Sequence, residues 1–530
     1  MRTATGAGAW APLRRPEFRS LWMAQFVANM GTWAQTVGAQ WLMGDLTGSE
    51  FAVALVQAAT TLPVFLLVVP AGALGDIFDR RRLLLTGQLM MLLGAGGLAG
   101  LTAGELTTPV LLLLMIALMG IGQALCVPSF QAIQPELVTR DEIPQAALLN
   151  GANANVARAV GPALGGVLIA AIGPAATFAF NTLSFLGVLV VLYRWDRPPD
   201  HRPLGVERVR AAIRAGVRYV RSAPRFATVL ARSALFMTFA GGLWALLPAI
   251  ARGPLRLGPD GYGLLLGSVG LGAVGGAFLV PRVRALVGAN VVVTGGMFGY
   301  AIAVLVVGLV EDVPMAVGAL VLAGTAWIAV QSTLAASAQV LLPAWTRARA
   351  LAYFQLVFMG GQALGAIGWG VVADVVSLRA AFVIPAAALV VVTAFSVWAL
   401  PLTEAELDVS QVTHWPEPVT RLEPDADAGP VLVIAEWPVP PDNAEAFVRA
   451  MRKVGRARRR TGATWWALFQ DVEDPTLFLE TFIVRTWHEH LRQHDERGTV
   501  LDRELEARAR GMVVDGEEPQ VRHLILIPRS

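Results

Sequence analysis

Long runs of apolar residues dominate the first 400 positions of the chain, and short polar stretches separate them. A helix that crosses a membrane needs about 20 mostly apolar residues. Because so many runs reach that length, buried helices of a soluble protein are disfavoured as an explanation. The pattern predicts twelve transmembrane helices, at about residues 21–43, 51–74, 83–102, 110–133, 146–172, 175–193, 226–250, 261–280, 287–310, 314–342, 350–374 and 378–400.

The connections between the runs differ in charge from one side of the predicted bundle to the other. Alternate connections carry arginines, at Arg14, Arg15, Arg19, Arg80, Arg81, Arg82, Arg140, Arg282, Arg284, Arg347 and Arg349. The others carry mainly acids, at Asp45, Glu50, Glu105, Glu311 and Asp312, although Arg252, Arg256 and Arg379 run against the pattern. Because basic loops stay in the cytoplasm, we predict a multi-pass protein of the cell (inner) membrane, embedded in lipid, with both termini cytoplasmic.

The composition agrees with a membrane protein. Of 530 residues, 55% are hydrophobic and 15% are charged, whereas charged residues make up about a quarter of a soluble domain. A net charge of +3 does not favour nucleic-acid binding, and one cysteine, Cys126, cannot form an internal disulfide. The sequence has no G-x-x-x-x-G-K-[ST] loop, so it does not predict ATP-driven pumping, and we predict no cofactor.

A repeated sequence motif indicates that the membrane region has two related parts. GPALGG at 161–166 has a counterpart in GQALGA at 361–366, as a duplicated six-helix unit would leave. We predict five parts: an N-terminal six-helix bundle (1–193), a cytoplasmic basic amphipathic linker (194–225), a C-terminal six-helix bundle (226–401), a second linker (402–429) and a small cytoplasmic domain (430–530). The first linker suits either an anionic membrane surface or solvent.

The C-terminal part lacks long apolar runs. Strands are predicted at 431–437, 464–470, 476–484 and 521–527, with helices at 442–460, after Thr486 and at 499–510. The order β-α-β-β-α-α-β predicts a ferredoxin-like α+β domain. It resembles the dimeric α/β-barrel domains of antibiotic-biosynthesis monooxygenases, and that resemblance implies self-association.

The stretch GALGDIFDRRR, residues 72–82, joins the second and third runs. It resembles the loop signature of the major facilitator superfamily at Gly72, Leu74, Asp76, Arg80 and Arg81, and departs from it at Ile77 and Asp79. The resemblance implies a gating loop, in which Asp76 docks on a helix N-terminus of the other bundle and Arg80 or Arg81 pairs with Glu136. The alternative is a turn whose charges only anchor the loop and fix topology.

The fifth run contains the second candidate region. Gly161, Pro162, Gly165 and Gly166 resemble an exporter-associated motif of the same superfamily. Proline bends a helix and glycines allow close packing, so this segment is a predicted bend. Asn150 and Asn153 precede it, and Arg158 is interpreted as the one arginine well inside a span. Arg158 is a candidate to attract an anionic group or pair across the bundle; a structural arginine is the alternative.

Other polar residues inside the runs either line a substrate pathway or bridge helices. They are Gln25, Asn29, Gln35, Gln40, Gln57, Gln123, Gln131, Gln331, Gln355 and Gln362. We assign Gln25, Asn29, Gln355 and Gln362 to the pathway, together with the polar residues of the fifth run. The family resemblance implies proton coupling, yet no carboxylate lies near the middle of a run and Ile116 stands where related exporters carry an arginine.

Histidines cluster in WHEHLRQH, residues 487–494. His490 and His494 have the i,i+4 spacing that suits a metal or haem, but a polar helix facing solvent or a second subunit has the same pattern. We predict no bound metal and name this pair as the candidate ligands. Related monooxygenase domains use Asn, Trp and His or Arg. Trp465 and Trp466 are present here, but Asn443 is the only asparagine in residues 430–530, so we do not predict an enzyme.

The sequence as a whole resembles the enterobactin-exporter subgroup of the major facilitator superfamily, over about residues 13–400. The resemblance implies export of a small amphipathic molecule, such as a siderophore, antibiotic or drug, by alternating access with proton coupling. The alternative is a membrane-anchored oxygenase or ligand-binding module for which the helical bundle is mainly a scaffold.

Overall fold

The computed structural model describes residues 10–77, 79–133, 136–139, 142–195, 220, 222–343, 347–402, 408, 410, 412, 424–514 and 519–527. The chain forms two compact units, of which one consists mainly of the membrane helices and the other contains the C-terminal domain. Most of the two predicted linkers, 194–225 and 402–429, lies outside the described residues.

The membrane region is built from long helices. Its first half contains α1 (Pro16–Thr47), α2 (Glu50–Ile77), α3 (Arg80–Ala103), α4 (Pro109–Ile133), α5 (Ile143–Ile172) and α6 (Pro174–Arg194). Its second half contains α7 (Pro224–Arg252), α8 (Pro259–Leu309), α9 (Val313–Val340), α10 (Arg347–Val375) and α11 (Ala380–Ala399). Each predicted apolar run lies within one of these helices to within two residues, but the runs at 261–280 and 287–310 share α8.

Proline and glycine set several helix limits. Prolines occupy the first turn of α1, α6 and α8, where the missing N–H has no intrahelical partner to lose. Gly48 ends α1 with a left-handed φ of 63°. Gly288 interrupts α8 with a φ of 83° and a ψ of 166°, a conformation that other residues rarely adopt. The 51-residue α8 therefore consists of two helical segments joined at Gly288.

Length and hydropathy identify 10 helices, α2 to α11, as candidate membrane spans in the described part of the chain. α1 does not meet these criteria, and both segments of α8 count as one span. The structure also corrects the predicted loop at residues 72–82. Because α2 continues to Ile77 and α3 starts at Arg80, Gly72, Leu74 and Asp76 belong to the last turns of a helix.

Helix packing brings the two halves together along α5 and α8. Within the first half, α1 packs against α5 and α6, and α4 packs against α2 and α3. In the second half, α8 packs against α11. Gly166 of α5 lies directly against Pro259 and Gly263 of α8, so small residues allow the two halves to approach at backbone distance.

The described part of the C-terminal domain has four strands and three α-helices: β1 (Val431–Pro438), α12 (Ala444–Thr461), β2 (Trp465–Gln470), β3 (Leu477–Val484), α13 (Trp487–Asp495), α14 (Val500–Arg510) and β4 (Gln520–Ile525). The strands form an antiparallel sheet in the order β2-β3-β1-β4. Strand β1 alternates buried and half-buried residues, because one face of the sheet is covered. Trp437, Phe447 and Phe478 form the core between this face and α12.

Candidate functional site

A cavity of about 440 Å³ lies inside the first half. Helices α1 to α5 supply its polar lining: Gln25, Asn29, Thr32, Gln35, Thr36, Gln57, Thr60, Gln88, Gln123, Asn150 and Asn153. None of the described residues that line it is charged. Its wall therefore offers amide and hydroxyl groups to a ligand, with Phe185, Phe130 and Ile116 among the apolar surfaces.

A chain of hydrogen bonds orders one wall of this cavity. Gln25 Nε2 donates to Asn29 Oδ1 at 3.2 Å, and Asn29 Nδ2 donates to Asn153 Oδ1 at 2.9 Å. Asn153 Nδ2 in turn donates to the carbonyl oxygen of Trp22 at 3.0 Å. The structure thus brings three of the predicted pathway residues into contact and fixes the orientation of their amide groups.

Three amide atoms of the cavity residues remain without a partner. The side-chain oxygens of Gln25 and Gln88 and the side-chain nitrogen of Asn150 are buried and make no hydrogen bond. A buried polar group without a partner costs free energy unless water or a ligand satisfies it. The cavity is therefore suited to polar, uncharged groups that both donate and accept hydrogen bonds.

Arg158 does not line this cavity. Its guanidinium carbon lies 5.7 Å from the ring centre of Trp33, and its Nε atom is buried without a hydrogen-bond partner. Trp33 lies 5.8 Å from Trp244 of the second half. Arg158 is therefore held beside an aromatic pair that bridges the two halves, an arrangement typical of a cation–π contact.

Arg232 was missed by the sequence analysis, which identified Arg158 as the one arginine inside a span. Arg232 lies in α7, is fully buried, and donates to Asn290 Oδ1 at 2.6 Å, Thr294 Oγ1 at 3.1 Å and Ser396 Oγ at 3.0 Å. These hydrogen bonds join α7 to α8 and α11. The arginine stands close to a predicted span boundary, so its depth could not be read from the sequence.

Hydrogen bonds between the two halves cluster where α1 ends, which we call the α1–α2 end. Gln40 Nε2 donates to the carbonyl oxygen of Trp244 at 3.1 Å, and the Tyr262 hydroxyl donates to Gln40 Oε1. Arg252 pairs with Asp45 at 3.0 Å and lies 3.8 Å from the ring centre of Trp41. This inter-half contact joins the two halves at the α1–α2 end.

A further link at the same end joins α10 to the first half. Ser49 Oγ donates to Asp374 Oδ1 at 3.2 Å. Deeper in the bundle, Val64 and Val68 of α2 pack beside Leu356 and Met359 of α10.

The predicted gating residues lie at the opposite end, between α2 and α3. Arg80 Nη1 pairs with Glu136 Oε1 at 3.1 Å, as the sequence predicts, whereas Arg81 donates to the carbonyl oxygens of Leu192 and Tyr193 at the end of α6. Asp79 caps α3 by accepting from the Arg82 amide at 2.9 Å. The side chain of Asp76 lies outside the described residues.

Glu142 anchors the start of α5 at this end of the first half. Arg15 Nε donates to Glu142 Oε2 at 2.6 Å. This hydrogen bond lowers the pKa of the Glu142 carboxyl group.

The glycines of the predicted bend serve helix packing. Gly161 and Gly165 lie against α1 at Met30 and Ala34, and Gly166 lies against α8. Pro162 lies inside an α5 that is continuous from Ile143 to Ile172.

The other predicted pathway residues lie apart from the cavity. Gln355 and Gln362 belong to α10, and the carbonyl oxygen of Gln362 lies beside Gly241 of α7. Among the remaining candidates, Gln35, Gln57 and Gln123 line the cavity and Gln40 belongs to the inter-half contact. Gln88 was not predicted, and the side chain of Gln131 lies outside the described residues.

Three histidines lie together in the C-terminal domain. The Nε2 atoms of His490 and His494 are 3.3 Å apart, and the ring of His523 lies 4.8 Å from that of His490. Burial, with the neighbouring His494 and His523, lowers the pKa of His490 to about 3. The sequence pointed to His490 and His494 but missed His523, which lies on a separate strand.

Two residues compared with monooxygenase sites have structural contacts. Trp466 Nε1 donates to Glu480 Oε1 at 3.0 Å, and Asn443 Nδ2 donates to the carbonyl oxygen of Met512 at 3.2 Å. Glu480 is itself buried against Arg458 at 2.9 Å. Trp466 and Asn443 thus stabilise the domain core.

Comparison with solved structures shows the major facilitator fold. The chain matches a POT family transporter (TM-score 0.60, 12% identity, covering 72% of this chain and 95% of that chain). It also matches a bacterial homologue of the human lysosomal transporter Spinster in an inward-facing conformation (TM-score 0.56, 16% identity, 73% and 96% covered). At these identities the likeness shows the fold alone.

Sequence comparison finds siderophore transporters. The chain is 29% identical to the staphyloferrin A transporter of Staphylococcus aureus over 171 residues, which cover 32% of this chain and only 43% of that relative. It is 27% identical to the enterobactin exporter EntS of Salmonella choleraesuis over 331 residues, which cover 60% and 76%. The profile of the transmembrane secretion effectors matches residues 7–530. With twelve apolar runs, helices that pack as in solved transporters and a match along nearly its whole length, the chain is a membrane protein that belongs to the transmembrane secretion effector family.

Proposed function

We propose that this protein is a secondary active exporter of a small amphipathic molecule and that it works by alternating access. The observation that carries the proposal is the inter-half contact at the α1–α2 end. Its hydrogen bonds and its ion pair are few, local and reversible, as expected for contacts that form in one state and break in another. The two halves can then rock about the α5–α8 packing surface.

The membrane orientation follows from the arginine-rich connections. We place the α2–α3 end and both termini in the cytoplasm, since basic loops remain on that side. Counting α1 as a span and dividing α8 at Gly288 gives twelve spans in two six-helix bundles. The α1–α2 end then faces outward, and the described conformation is closed to the outside.

The substrate site combines the polar cavity with the aromatic pair at the junction of the halves. The cavity supplies unpaired amide groups, while Trp33 and Trp244 supply flat apolar surfaces. Arg158 adds a positive charge beside them. A siderophore, with aromatic or aliphatic groups and many oxygen atoms, fits this chemistry, and the named cargo of both relatives agrees with it.

Proton coupling is part of the proposal. Asp45 and Asp374 both take part in contacts at the α1–α2 end. Both contacts depend on a carboxylate group, since Asp45 forms the ion pair with Arg252 and Asp374 accepts the hydrogen bond from Ser49. At the other end, the gating loop keeps its predicted role, with the Arg80–Glu136 pair opening and closing as the halves move.

For the C-terminal domain we propose a ferredoxin-like fold that self-associates. Trp465, Ile483, Leu432 and Leu524 stand in one cross-strand row, on the face of the sheet opposite the buried row of Val433 and Phe482. Trp465 is 44% exposed and Leu524 is 48% exposed. An apolar row of this kind favours pairing with a second copy, and Trp465→Ser should reduce cross-linked dimers of the full-length protein.

Transport into inverted membrane vesicles tests the proposal. Vesicles that contain the protein should accumulate enterobactin or staphyloferrin A when a proton gradient is applied, and a protonophore should abolish the uptake. Spin labels on α1 and α7 at the α1–α2 end should report two separations whose populations change with substrate. One fixed separation under all conditions, or uptake equal to that of vesicles lacking the protein for a panel of siderophores and drugs, would contradict it.

A further inference from the structure

The three histidines of the C-terminal domain converge from two separate elements. His490 and His494 lie one turn apart on α13, and His523 lies on β4 opposite Val433 of β1. Val433 belongs to the buried row of the sheet, so His523 is on the face that α13 covers. One ring nitrogen from each histidine lies within 4.8 Å of one from each of the others.

The separation of the helical pair matches metal coordination. The Nε2 atoms of His490 and His494 are 3.3 Å apart, and their ring planes are inclined by 80°. Two nitrogen ligands at about 2.0–2.1 Å from a tetrahedral ion stand about 3.3–3.4 Å apart. A rotation of the His523 side chain on this edge strand would bring a third nitrogen to a similar distance.

A second layer of contacts orients one of these rings. Gln493 Oε1 lies 3.3 Å from His490 Nδ1, and Gln493 Nε2 donates to Thr461 Oγ1 at 3.2 Å. With its nitrogen engaged by Thr461, Gln493 presents its oxygen to His490 as an acceptor. His490 then carries its proton on Nδ1, which leaves the lone pair of Nε2 free towards His494. Metal-binding histidines are commonly held by such an outer partner.

The two helical histidines of the cluster are buried, since His490 is 1% exposed and His494 is 7% exposed. Their Nε2 atoms face each other at 3.3 Å. A cation between them would accept a lone pair from both rings, and His523 supplies the third nitrogen of the group.

We propose that His490, His494 and His523 bind one divalent first-row transition-metal ion, with Zn²⁺ as the reference ion and one coordination position left open. Imidazole ligands suit zinc, copper, nickel and iron. Three protein ligands with a free fourth position are the arrangement of zinc sites that accept water or another small ligand. This site is independent of the proposed transport and differs from the sequence-based prediction of no metal.

Cobalt titration of the full-length protein in detergent tests the site. The protein carries a tag without histidine and is first stripped with a chelator. Co²⁺ should bind at one ion per chain with the intense visible absorption of tetrahedral cobalt, and Zn²⁺ should displace it. Weak absorption typical of octahedral cobalt, or no binding below about 100 µM, would overturn the proposal, since three clustered imidazoles should bind more tightly than that.

Single variants assign the ligands. His490→Ala, His494→Ala and His523→Ala should each weaken Co²⁺ affinity by at least about 100-fold, and Gln493→Ala by about 10- to 100-fold. His488→Ala is the matched control, because His488 is exposed on the same helix, and its affinity should not change. Equal affinity in the control and the three ligand variants would refute the site.

Folding of the variants is checked separately. Each alanine variant is compared with the corresponding glutamine variant by circular dichroism and thermal unfolding. A glutamine variant that keeps the fold and still binds Co²⁺ with unchanged affinity and spectrum also contradicts the assignment.

Discussion

The interiors of the two membrane halves are filled differently. In the first half, six helices surround a cavity of about 440 Å³ that is lined by amides and hydroxyls. In the second half, Trp327 contacts Phe236, Trp244, Tyr300 and Phe358 with ring centres 5.1–6.0 Å apart. If the halves arose by duplication, the first now contains a polar cavity, whereas aromatic rings pack together inside the second.

One arginine inside each half follows the same division. Arg232 of the second half donates to three polar side chains, at 2.6, 3.0 and 3.1 Å. Arg158 of the first half lies beside the ring of Trp33, and the Nε atoms of both arginines are buried without a hydrogen-bond partner. An arginine with three side-chain acceptors on neighbouring helices holds those helices together, whereas an arginine beside an aromatic ring keeps donors for other contacts. In the proposed exporter, the second half therefore supplies rigidity and the first half supplies the contacts to the ligand.

The largest expected effect is a difference in stability between the alanine variants of two buried phenylalanines. Phe236→Ala removes a ring from the aromatic cluster and should lower the free energy of unfolding by about 3–5 kcal/mol. Phe185→Ala enlarges a cavity that already exists, so fewer contacts are lost, and its cost should be smaller by about 1–2 kcal/mol. Thermal unfolding in one detergent measures both. Equal losses in the free energy of unfolding would contradict the distinction between a half with an internal cavity and a half packed with aromatic rings.

The second prediction concerns the arginines. Arg232→Met should cost about 2–3 kcal/mol of stability, since Asn290, Thr294 and Ser396 lose a charged donor. Arg158→Met should cost only about 1 kcal/mol, because the contact that it removes is the cation–π contact with Trp33, but it should reduce vesicle uptake strongly. If Arg158→Met transports normally, Arg158 is structural.

A smaller effect distinguishes two buried tyrosines. Tyr262→Phe removes the bond to Gln40 between the halves and should shift the balance of the two states by about fivefold, equivalent to about 1 kcal/mol. Tyr300→Phe is the matched control, because the Tyr300 hydroxyl donates to the Ala240 carbonyl at 3.1 Å within the second half. Spin-label distances should change population only for Tyr262→Phe, and a shift in both would argue against a specific inter-half role.

The smallest effect is expected at the ion pair. Asp45 and Arg252 have side chains 51% and 26% exposed, and partly exposed pairs contribute about 0–1 kcal/mol. Asp45→Asn should therefore leave stability nearly unchanged and favour the outward-open state slightly. High salt should reduce the difference between variant and parent, which the same distance measurement detects. If Asp45→Asn shifts the populations of the two states more than Tyr262→Phe does, the ion pair contributes more than the hydrogen bond and this prediction is wrong.

The helices could be predicted from the sequence because each apolar run is long and local. Contacts between side chains were harder to predict, since they depend on which faces of the helices pack against each other. The Arg80–Glu136 pair was found because a family motif named one partner and the end of α4 offered the other. Gln88, Arg232 and His523 were missed because no local spacing in the sequence marks them. The partners of Arg232, for example, are 58 to 164 residues away.

Gln40 has both of its polar atoms committed to the opposite half: its nitrogen to the Trp244 carbonyl and its oxygen to the Tyr262 hydroxyl. When this end separates, water must enter to take the place of both bonds. In the proposed orientation, outward release is therefore tied to the entry of water into the gap. Osmotic stress, which withdraws water, should slow the opening step more than it slows closure.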